Sequence, residues 1–165
     1  MTAEGPPPGY RPCVGMTLFN REGLVFAGQR LDIGEAAWQM PQGGIEDGEL
    51  PSDAAFRELA EEVGTAKAEI IAESETWLTY EFPVELRRQA WGGRFVGQAQ
   101  RWFLMRFTGD DSDIDIAASD AAEFAAWRWM RLEDLVREIV PFKRPVYDQI
   151  AAEFGAVIRD ASGSV

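Results

Sequence analysis

The chain has 165 residues, of which 46% are hydrophobic and 12% aromatic, a composition typical of one globular domain. Its 28 acidic and 16 basic side chains give a formal net charge of −12, which disfavours binding along a nucleic-acid backbone. The absence of histidine excludes histidine-based acid–base catalysis, and a single cysteine excludes an internal disulfide. No apolar run is long enough to cross a membrane and no signal pattern begins the chain, so we expect a cytoplasmic protein without a DNA or membrane partner.

The first half of the chain is predicted to contain short strands followed by one helix. Residues 1–8 are rich in Pro and Gly and are expected to form a flexible lead-in. Strand-forming residues bounded by turn residues predict strands at 10–20 and 24–30 and a short or irregular strand at 38–42. Pro51 suits the first turn of a helix and Gly64 suits its end, so these two residues bound a predicted helix.

The predicted helix carries three glutamates at spacings that bring their side chains together. The residues expected on its buried stripe are Phe56, Leu59, Ala60 and Val63. Glu58, Glu61 and Glu62 lie on the opposite face, where like charges repel by about 0.2–0.5 kcal/mol per pair and the helix dipole adds to the cost. A solvated acidic face is one interpretation. A bound divalent cation explains the placement better, and Mg²⁺ suits an all-oxygen site that leaves room for water and phosphate.

The second half is predicted to contain three strands and two helices. Long strands are expected at 70–82 and 98–107, separated by a loop or hairpin arm at 85–97, and a last strand is expected at 123–130. Apolar residues at helical spacing predict a helix that begins near Leu132 and another that begins at Pro145. Residues 160–165 are expected to be a flexible tail. Propensity alone therefore predicts one domain of the α+β or α/β class.

Residues 43–65 resemble the signature of the Nudix hydrolases, G-x5-E-x7-R-E-U-x-E-E-x-G-U, in which U is aliphatic. The signature positions are filled by Gly43, Glu49, Arg57, Glu58, Leu59, Glu61, Glu62 and Gly64, with Thr65 in place of the last aliphatic residue. This resemblance implies an α/β fold, the Nudix α/β/α sandwich, as one domain over 9–159. In that fold a mixed β-sheet has the signature helix on one side and the C-terminal helices on the other.

The resemblance also implies a metal site and its supports. Glu58, Glu61 and Glu62 would bind the metal, and the carbonyl of Gly43 would be a further ligand. Arg57 would pair with Glu49 to brace the loop against the helix. Glu123 resembles the remote glutamate that completes the metal site or acts as a base, although a glutamate before a strand is usually a surface residue.

Motifs outside the signature resemble the branch that contains bacterial RNA pyrophosphohydrolases and dinucleoside polyphosphate hydrolases. They are Gly9-Tyr10-Arg11-Pro12, Trp38-Gln39-Met40-Pro41-Gln42, Trp77-Leu78-Thr79-Tyr80, Gly97-Gln98-Ala99-Gln100-Arg101-Trp102-Phe103, Trp127-Arg128-Trp129 and Phe142-Lys143-Arg144. By this resemblance Arg11 and Lys143 would hold phosphate oxygens. Tyr80 either donates its hydroxyl to a phosphate or packs in the sheet. Phe142 and Arg30 would enclose a base, or Phe142 is a core residue.

The implied activity is Mg²⁺- or Mn²⁺-dependent hydrolysis of a phosphoanhydride, with more than one ion. The favoured substrate is the 5′-triphosphate end of RNA, which would become a monophosphate as pyrophosphate leaves. The alternative is a dinucleoside polyphosphate, such as diadenosine tetraphosphate cleaved to ATP and AMP. The net charge favours this small substrate, as do Thr79 and Ala99, which stand where the branch commonly has a cation. A nucleotide-binding regulatory domain without turnover is a third possibility, which the intact glutamates disfavour.

Overall fold

A computed structural model describes residues 5–30, 38–87, 90–120 and 123–162 of the chain. The predicted loop at 31–37 lies outside these residues, as do parts of the predicted lead-in and tail. The division of the chain into lead-in, domain and tail therefore stays a prediction. None of the described helices is both long enough and apolar enough to span a membrane.

The described residues form one mixed sheet and four α-helices. The strands are β1 (Tyr10–Phe19), β2 (Val25–Arg30), β3 (Trp38–Gln39), β4 (Gln42–Gly44), β5 (Ala68–Glu73), β6 (Leu78–Glu81), β7 (Gly97–Phe107) and β8 (Phe124–Met130). The helices are α1 (Pro51–Val63), α2 (Val84–Arg87), α3 (Leu132–Glu138) and α4 (Arg144–Ser162). Short 3₁₀ turns lie at Ala90–Gly93, Asp111–Asp113 and Pro141–Lys143.

The sheet is built around the parallel pair β1 and β7, which align from Tyr10 opposite Gly97 to Phe19 opposite Arg106. The strand order is β3-β2-β1-β7-β5, with β4 paired to β1, β6 to β7 and β8 to β2. All pairs except β1 with β7 are antiparallel, so the sheet is mixed, as predicted.

Alternate side chains of the central strands build one hydrophobic core on each face of the sheet. On one face Val14, Met16 and Leu18 pack with Leu59 of α1. On the other face Trp102 and its strand neighbours pack with α3 and α4. Because side chains alternate along a strand, one sheet serves both layers, and the predicted α/β/α sandwich is confirmed.

Two predicted elements differ from the structure. The strand predicted at 70–82 is broken into β5 and β6, because Ser74 leaves the strand and donates its backbone N–H to the carbonyl of Trp102. The Ser74 hydroxyl also donates to the carbonyl of Thr76, which stabilises the turn. Helix α4 extends to Ser162, whose hydroxyl donates to the carbonyl of Ile158, so the first residues of the predicted tail are helical.

The buried face of α1 also differs from the helical-wheel prediction. Leu59 and Val63 are buried as expected, but Ala60 is exposed and Glu62 is only 2% exposed. The buried side includes Ala55, Leu59 and Glu62, which are three and four residues apart. The helix is therefore oriented so that Glu62, one of its three clustered glutamates, faces β4.

Candidate active site

The two glycines of β4 separate an acidic cluster from a basic side chain. A Cβ atom on Gly43 would overlap the carboxylate of Glu58, and one on Gly44 would overlap the guanidinium of Arg11. Since successive residues of a strand face opposite sides of the sheet, β4 passes between the two groups and any side chain there would push one of them away. This close approach explains the paired glycines of the sequence.

Arg57 connects the loop before α1 to the acidic side chains of the helix. Its guanidinium donates two hydrogen bonds of 2.9 Å to the two carboxylate oxygens of Glu49, which is the predicted pairing. It also donates to Oε1 of Glu58 at 2.8 Å and to the carbonyl of Gly44 at 2.8 Å. The Arg57 hydrogen bonds lower the pKa of Glu49 to about 2, so the pair is ionised at neutral pH.

Glu62 is the most buried acidic side chain of α1. Its Oε1 accepts a hydrogen bond of 3.3 Å from the backbone N–H of Gln42, and its Oε2 has no hydrogen-bond partner. Burial, followed by the nearby charges of Glu123 and Glu58, raises the pKa of Glu62 well above its ordinary value. A buried carboxylate oxygen without a donor is costly unless a cation or a proton reaches it, so this atom suits a metal ligand.

The charges of Glu58 and Glu123 act on Glu62, and those of Glu61 and Glu123 act on Glu58. Burial raises the pKa of Glu58 to about 7, with further contributions from Glu61 and Glu123 that the Arg57 hydrogen bond opposes. The Glu61 side chain is 40% exposed, and its Oε1 lies 3.6 Å from Nη1 of Arg57. The charge of Glu123, which immediately precedes β8, adds to the effect of burial in raising the pKa of Glu62. The structure thus brings all four predicted acidic residues into one region.

Across the ranges that the structure describes, no three acidic or cysteine side chains converge on one point as a ready-formed metal site. Like charges repel one another, so a cation would be needed to bring these carboxylates together. Arg57 also holds one oxygen of Glu58 through a hydrogen bond. The donor set therefore fits a hard divalent cation by its chemistry, and Glu58, Glu61 and Glu123 would have to draw together around it.

Lys143 is a buried cation that lies close to the Tyr80 ring. It lies in the 3₁₀ turn before α4, is 5% exposed, and donates a 3.1 Å hydrogen bond from Nζ to Oε1 of Gln39. Its ammonium lies 5.6 Å from the centre of the Tyr80 ring, and that ring is 5.5 Å from the ring of Phe142. The predicted substrate-binding residues Tyr80, Phe142 and Lys143 therefore form one cluster.

Cys13 lies where the acidic and basic groups meet. Burial raises the pKa of its thiol to about 12, while Arg11 and Lys143 oppose that shift and Glu58 adds to it. The thiol is therefore neutral at physiological pH, and Cys13 is a buried residue of β1. Arg11 donates a 3.6 Å hydrogen bond to Sγ of Cys13. Arg30 acts on the same region, since its charge lowers the pKa of Tyr80 against the larger effect of burial.

Buried glutamines are the main feature that the sequence-based site prediction missed. Gln39, Gln42, Gln98 and Gln100 are all buried along the floor of this region. The only signal was their occurrence within the two motifs around Trp38 and Trp102, at strand positions where an apolar residue would be expected.

Comparisons with known proteins find relatives that match most of the chain. The NUDIX domain matches residues 9–150 of the chain. The chain is 56% identical over 149 residues to the RNA pyrophosphohydrolase of Roseobacter denitrificans, covering 89% of this chain and 92% of that one. It is 53% identical over 147 residues to the RNA pyrophosphohydrolase of Cereibacter sphaeroides, covering 88% and 90%. The solved E. coli dihydroneopterin triphosphate pyrophosphohydrolase has a TM-score of 0.68 at 20% identity, covering 87% of this chain and 98% of that one, and it supports the fold alone.

The domain match and the two relatives each extend over most of the chain, well beyond the signature helix. The domain match includes β1, the strands on both sides of it and the start of α4. The family resemblance inferred from the signature and the surrounding motifs is therefore confirmed. The chain belongs to the NUDIX domain family.

Proposed function

We propose that this protein is a metal-dependent pyrophosphohydrolase that converts the 5′-triphosphate end of RNA to a 5′-monophosphate. The observation that carries the proposal is the close approach of β4 to the Glu58 carboxylate at Gly43 and to the Arg11 guanidinium at Gly44, with the buried Lys143 beside Tyr80. A polyphosphate needs cations along its length and carboxylates that hold its metal ions. This site has both kinds of side chain, although the protein has a net charge of −12.

Glu58, Glu61, Glu62 and Glu123 would hold the metal, with the carbonyl of Gly43 beside them. Nudix hydrolases generally use divalent metal ions, and the oxygen-only donor set favours Mg²⁺ or Mn²⁺, with more than one ion for four carboxylates. The bound ions would neutralise charge on the phosphoryl group and make a water molecule more acidic. Arg57 supports this set from outside by fixing one oxygen of Glu58 and both oxygens of Glu49.

The substrate would lie across β4 with its phosphates toward the basic side chains. Lys143 and Arg11 bind phosphate oxygens, since their charges are close to the acidic cluster. Phe142 and Arg30 enclose the first bases by stacking, and Phe142 suits this role because it is half-buried beside Tyr80. One water molecule is consumed, the anhydride bond between the α and β phosphates breaks, and pyrophosphate leaves. Glu123 either completes the ligand set or accepts a proton from the water.

RNA ends are preferred over dinucleoside polyphosphates on two grounds. The relatives at 53% and 56% identity are both named RNA pyrophosphohydrolases. Ala99 is also fully buried, so the lack of a cation at that position has no bearing on contacts with a long substrate. Thr79 is exposed and remains an argument for the small substrate, together with the net charge. A cytoplasmic location stays a prediction.

The test gives the purified protein triphosphorylated RNA and diadenosine tetraphosphate in parallel, with and without Mg²⁺, and identifies the products. We expect Mg²⁺-dependent pyrophosphate and monophosphorylated RNA from the first substrate and slower turnover of the second. Rapid formation of ATP and AMP with negligible pyrophosphate from RNA would reverse the order of the two substrates. No turnover of either would favour a regulatory nucleotide-binding domain.

A further inference from the structure

Gln39 and Lys143 are two buried polar residues joined by a hydrogen bond. Gln39 is 3% exposed and ends β3, and Lys143 is 5% exposed and lies in the 3₁₀ turn before α4. The Lys143 ammonium donates to Oε1 of Gln39 at 3.1 Å. Because both side chains are almost completely buried, water competes little for this contact. The amide oxygen of Gln39 therefore helps to set the position of the ammonium.

The ammonium also determines which way the Gln39 amide points. An ammonium can only donate, so the Gln39 atom that faces it is the carbonyl oxygen. Nε2 of Gln39 is then directed elsewhere, and it is buried without a hydrogen-bond partner among the residues that the structure describes. A buried donor without an acceptor lowers stability. Methionine has a similar size and no such donor, so the stabilising part of Gln39 is its contact with Lys143.

The backbones on both sides of this contact are held by separate hydrogen bonds. Gln39 belongs to the antiparallel pair of β3 with β2, and the backbone N–H of Met40 donates at 2.9 Å to the hydroxyl of Tyr147 in α4. The backbone N–H of Lys143 closes the 3₁₀ turn. Because the backbones are held in this way, the flexible stem of Lys143 is the part whose position depends on Gln39.

The lack of charge on Gln39 suits a lysine that binds phosphate. A carboxylate at this position would hold the ammonium and would also oppose its charge. The amide oxygen accepts the same hydrogen bond without a formal charge. A side chain that is already ordered also loses less conformational entropy when a ligand binds. Gln39 therefore orders the ammonium without weakening its attraction for a phosphate oxygen.

We propose that Gln39 is a positioning residue that holds the Lys143 ammonium in place to bind a phosphate oxygen of the substrate. This inference rests on the proposed function for the role of Lys143 and the identity of the substrate. It gives a role to the glutamine that follows Trp38, which the metal ligands do not explain. Gln39 acts on substrate binding through Lys143 and takes no part in the chemical step.

The test is a double-mutant cycle of Gln39→Met, Lys143→Met and the double variant. Calorimetry with inorganic pyrophosphate and Mg²⁺ measures the affinity for phosphate. Lys143→Met should lose about 100-fold in affinity, the value of a hydrogen bond from a charged donor, and Gln39→Met about 10-fold, because its ammonium is present but loosely held. The double variant should bind as weakly as Lys143→Met, since Gln39 acts only through Lys143.

Steady-state kinetics on triphosphorylated RNA separate positioning from a merely structural role. Loss of a contact that binds substrate and transition state equally raises KM and leaves kcat unchanged, so Gln39→Met should raise KM about tenfold. Partial misfolding would instead lower kcat and leave KM unchanged, because fewer active molecules remain. A lower kcat at an unchanged KM would therefore contradict the positioning role.

Gln39→Glu tests whether the lack of charge at this position matters. The glutamate carboxylate can still accept from Lys143, but its charge opposes that of the ammonium, so pyrophosphate affinity should fall further than in Gln39→Met. If Gln39 served only the fold, Gln39→Glu would be the milder change, because it preserves the hydrogen bond and the size of the side chain. Affinity that falls less in Gln39→Glu than in Gln39→Met would overturn this part of the inference.

Tyr147→Phe is the matched control. It removes the hydrogen bond between Met40 and Tyr147, which joins the same two segments, and it keeps the acceptor of the Lys143 ammonium. We expect its melting temperature to fall and its pyrophosphate affinity, KM and kcat to stay near the wild-type values. An equal loss of affinity in Tyr147→Phe and Gln39→Met would overturn the specific role of Gln39.

The binding and kinetic readouts distinguish failure of this inference from failure of the proposed function. Additive effects of Gln39→Met and Lys143→Met on pyrophosphate affinity would overturn the positioning role even if RNA is hydrolysed. Absence of pyrophosphate binding by the wild-type protein would also overturn it, since Lys143 would have no phosphate to hold. Non-additive losses of affinity without RNA turnover would support the positioning role and contradict the proposed substrate.

Discussion

The Glu62 carboxylate of α1 lies close to that of Glu123, which precedes β8, and burial together with this second charge raises the pKa of Glu62. Oε2 of Glu62 is buried and has no hydrogen-bond partner among the described residues. A proton or a metal cation must therefore bind this oxygen. Because the two compete for it, metal binding is linked to the protonation of the acidic cluster.

Glu62→Gln should stabilise the metal-free protein. In EDTA at pH 8 the glutamine amide can donate to Glu123 and the buried acidic group of Glu62 is gone, so we expect an increase of about 1–3 kcal/mol in the unfolding free energy. Mg²⁺ should raise the melting temperature of the wild type and leave that of Glu62→Gln unchanged. Thermal melts over a Mg²⁺ series measure both effects.

Glu22→Gln, which changes an exposed glutamate, is the control for Glu62→Gln and should respond to Mg²⁺ as the wild type does. Equal Mg²⁺ shifts in wild type and Glu62→Gln would remove Glu62 from the metal site.

Glu123→Ala should lower kcat with little change in KM. If Glu123 completes the ligand set or accepts the proton of the attacking water, its contribution is made chiefly in the transition state, and a loss of about a hundredfold is expected. Steady-state kinetics on triphosphorylated RNA separate the two constants. Wild-type values of kcat and KM in Glu123→Ala would show that Glu123 is a surface residue without a role in the reaction.

Gly43→Ala should impair activity far more than stability. Its Cβ atom would overlap the Glu58 carboxylate and displace it, and a displacement of about 1 Å at a catalytic group can cost about a hundredfold in rate. Gly155→Ala is the control, because Gly155 lies within α4 and its added Cβ would meet only the end of the Arg159 side chain. Turnover and thermal melts of both variants test this. Normal turnover by Gly43→Ala would show that Glu58 does not depend on this close approach.

Glu49→Gln should lose stability in a pH-dependent manner. The pKa of Glu49 is depressed to about 2 by Arg57, so its contribution is fully present above the ordinary carboxyl pKa of 4.5 and is lost as the pH falls toward 2. At pH 7 we expect Glu49→Gln to be about 1 kcal/mol less stable than the wild type, with the difference shrinking as the pH falls from 4.5 to 2. Urea unfolding at several pH values measures it. Glu46→Gln, an exposed residue of the same loop, should show no such trend. A difference that is independent of pH would contradict the ionised pair.

The signature helix and its flanking strands could be predicted because local rules determine them. Pro51 and Gly64 bound α1 in the structure, and Gly64 adopts the left-handed conformation expected of a helix end. The burial of Glu62 could not be predicted from the helical wheel, because hydrophobicity assigns a carboxylate to the solvent face. Its position depends on β4, whose backbone N–H at Gln42 faces the helix.

The structural features that the sequence did not predict depend on contacts between segments that are far apart in the chain. The break at Ser74 depends on a carbonyl of β7, and the approach of Lys143 to Gln39 joins the start of α4 to β3. Neither contact leaves a local pattern. The resemblance named Lys143 and Tyr80 as substrate-binding residues, and the structure places their side chains together. The family pattern thus supplied information that local propensity lacks.

The most direct test of the proposed function is Mg²⁺-dependent release of pyrophosphate from triphosphorylated RNA by the wild type, by Glu62→Gln and by the Glu22→Gln control. The wild type and the control should release pyrophosphate only when Mg²⁺ is present. Glu62→Gln should be slower by at least about a hundredfold, because one ligand of the charge-neutralising ions is lost. Pyrophosphate release that persists in EDTA, or that is equally fast in Glu62→Gln, would contradict a metal-dependent reaction at this acidic cluster.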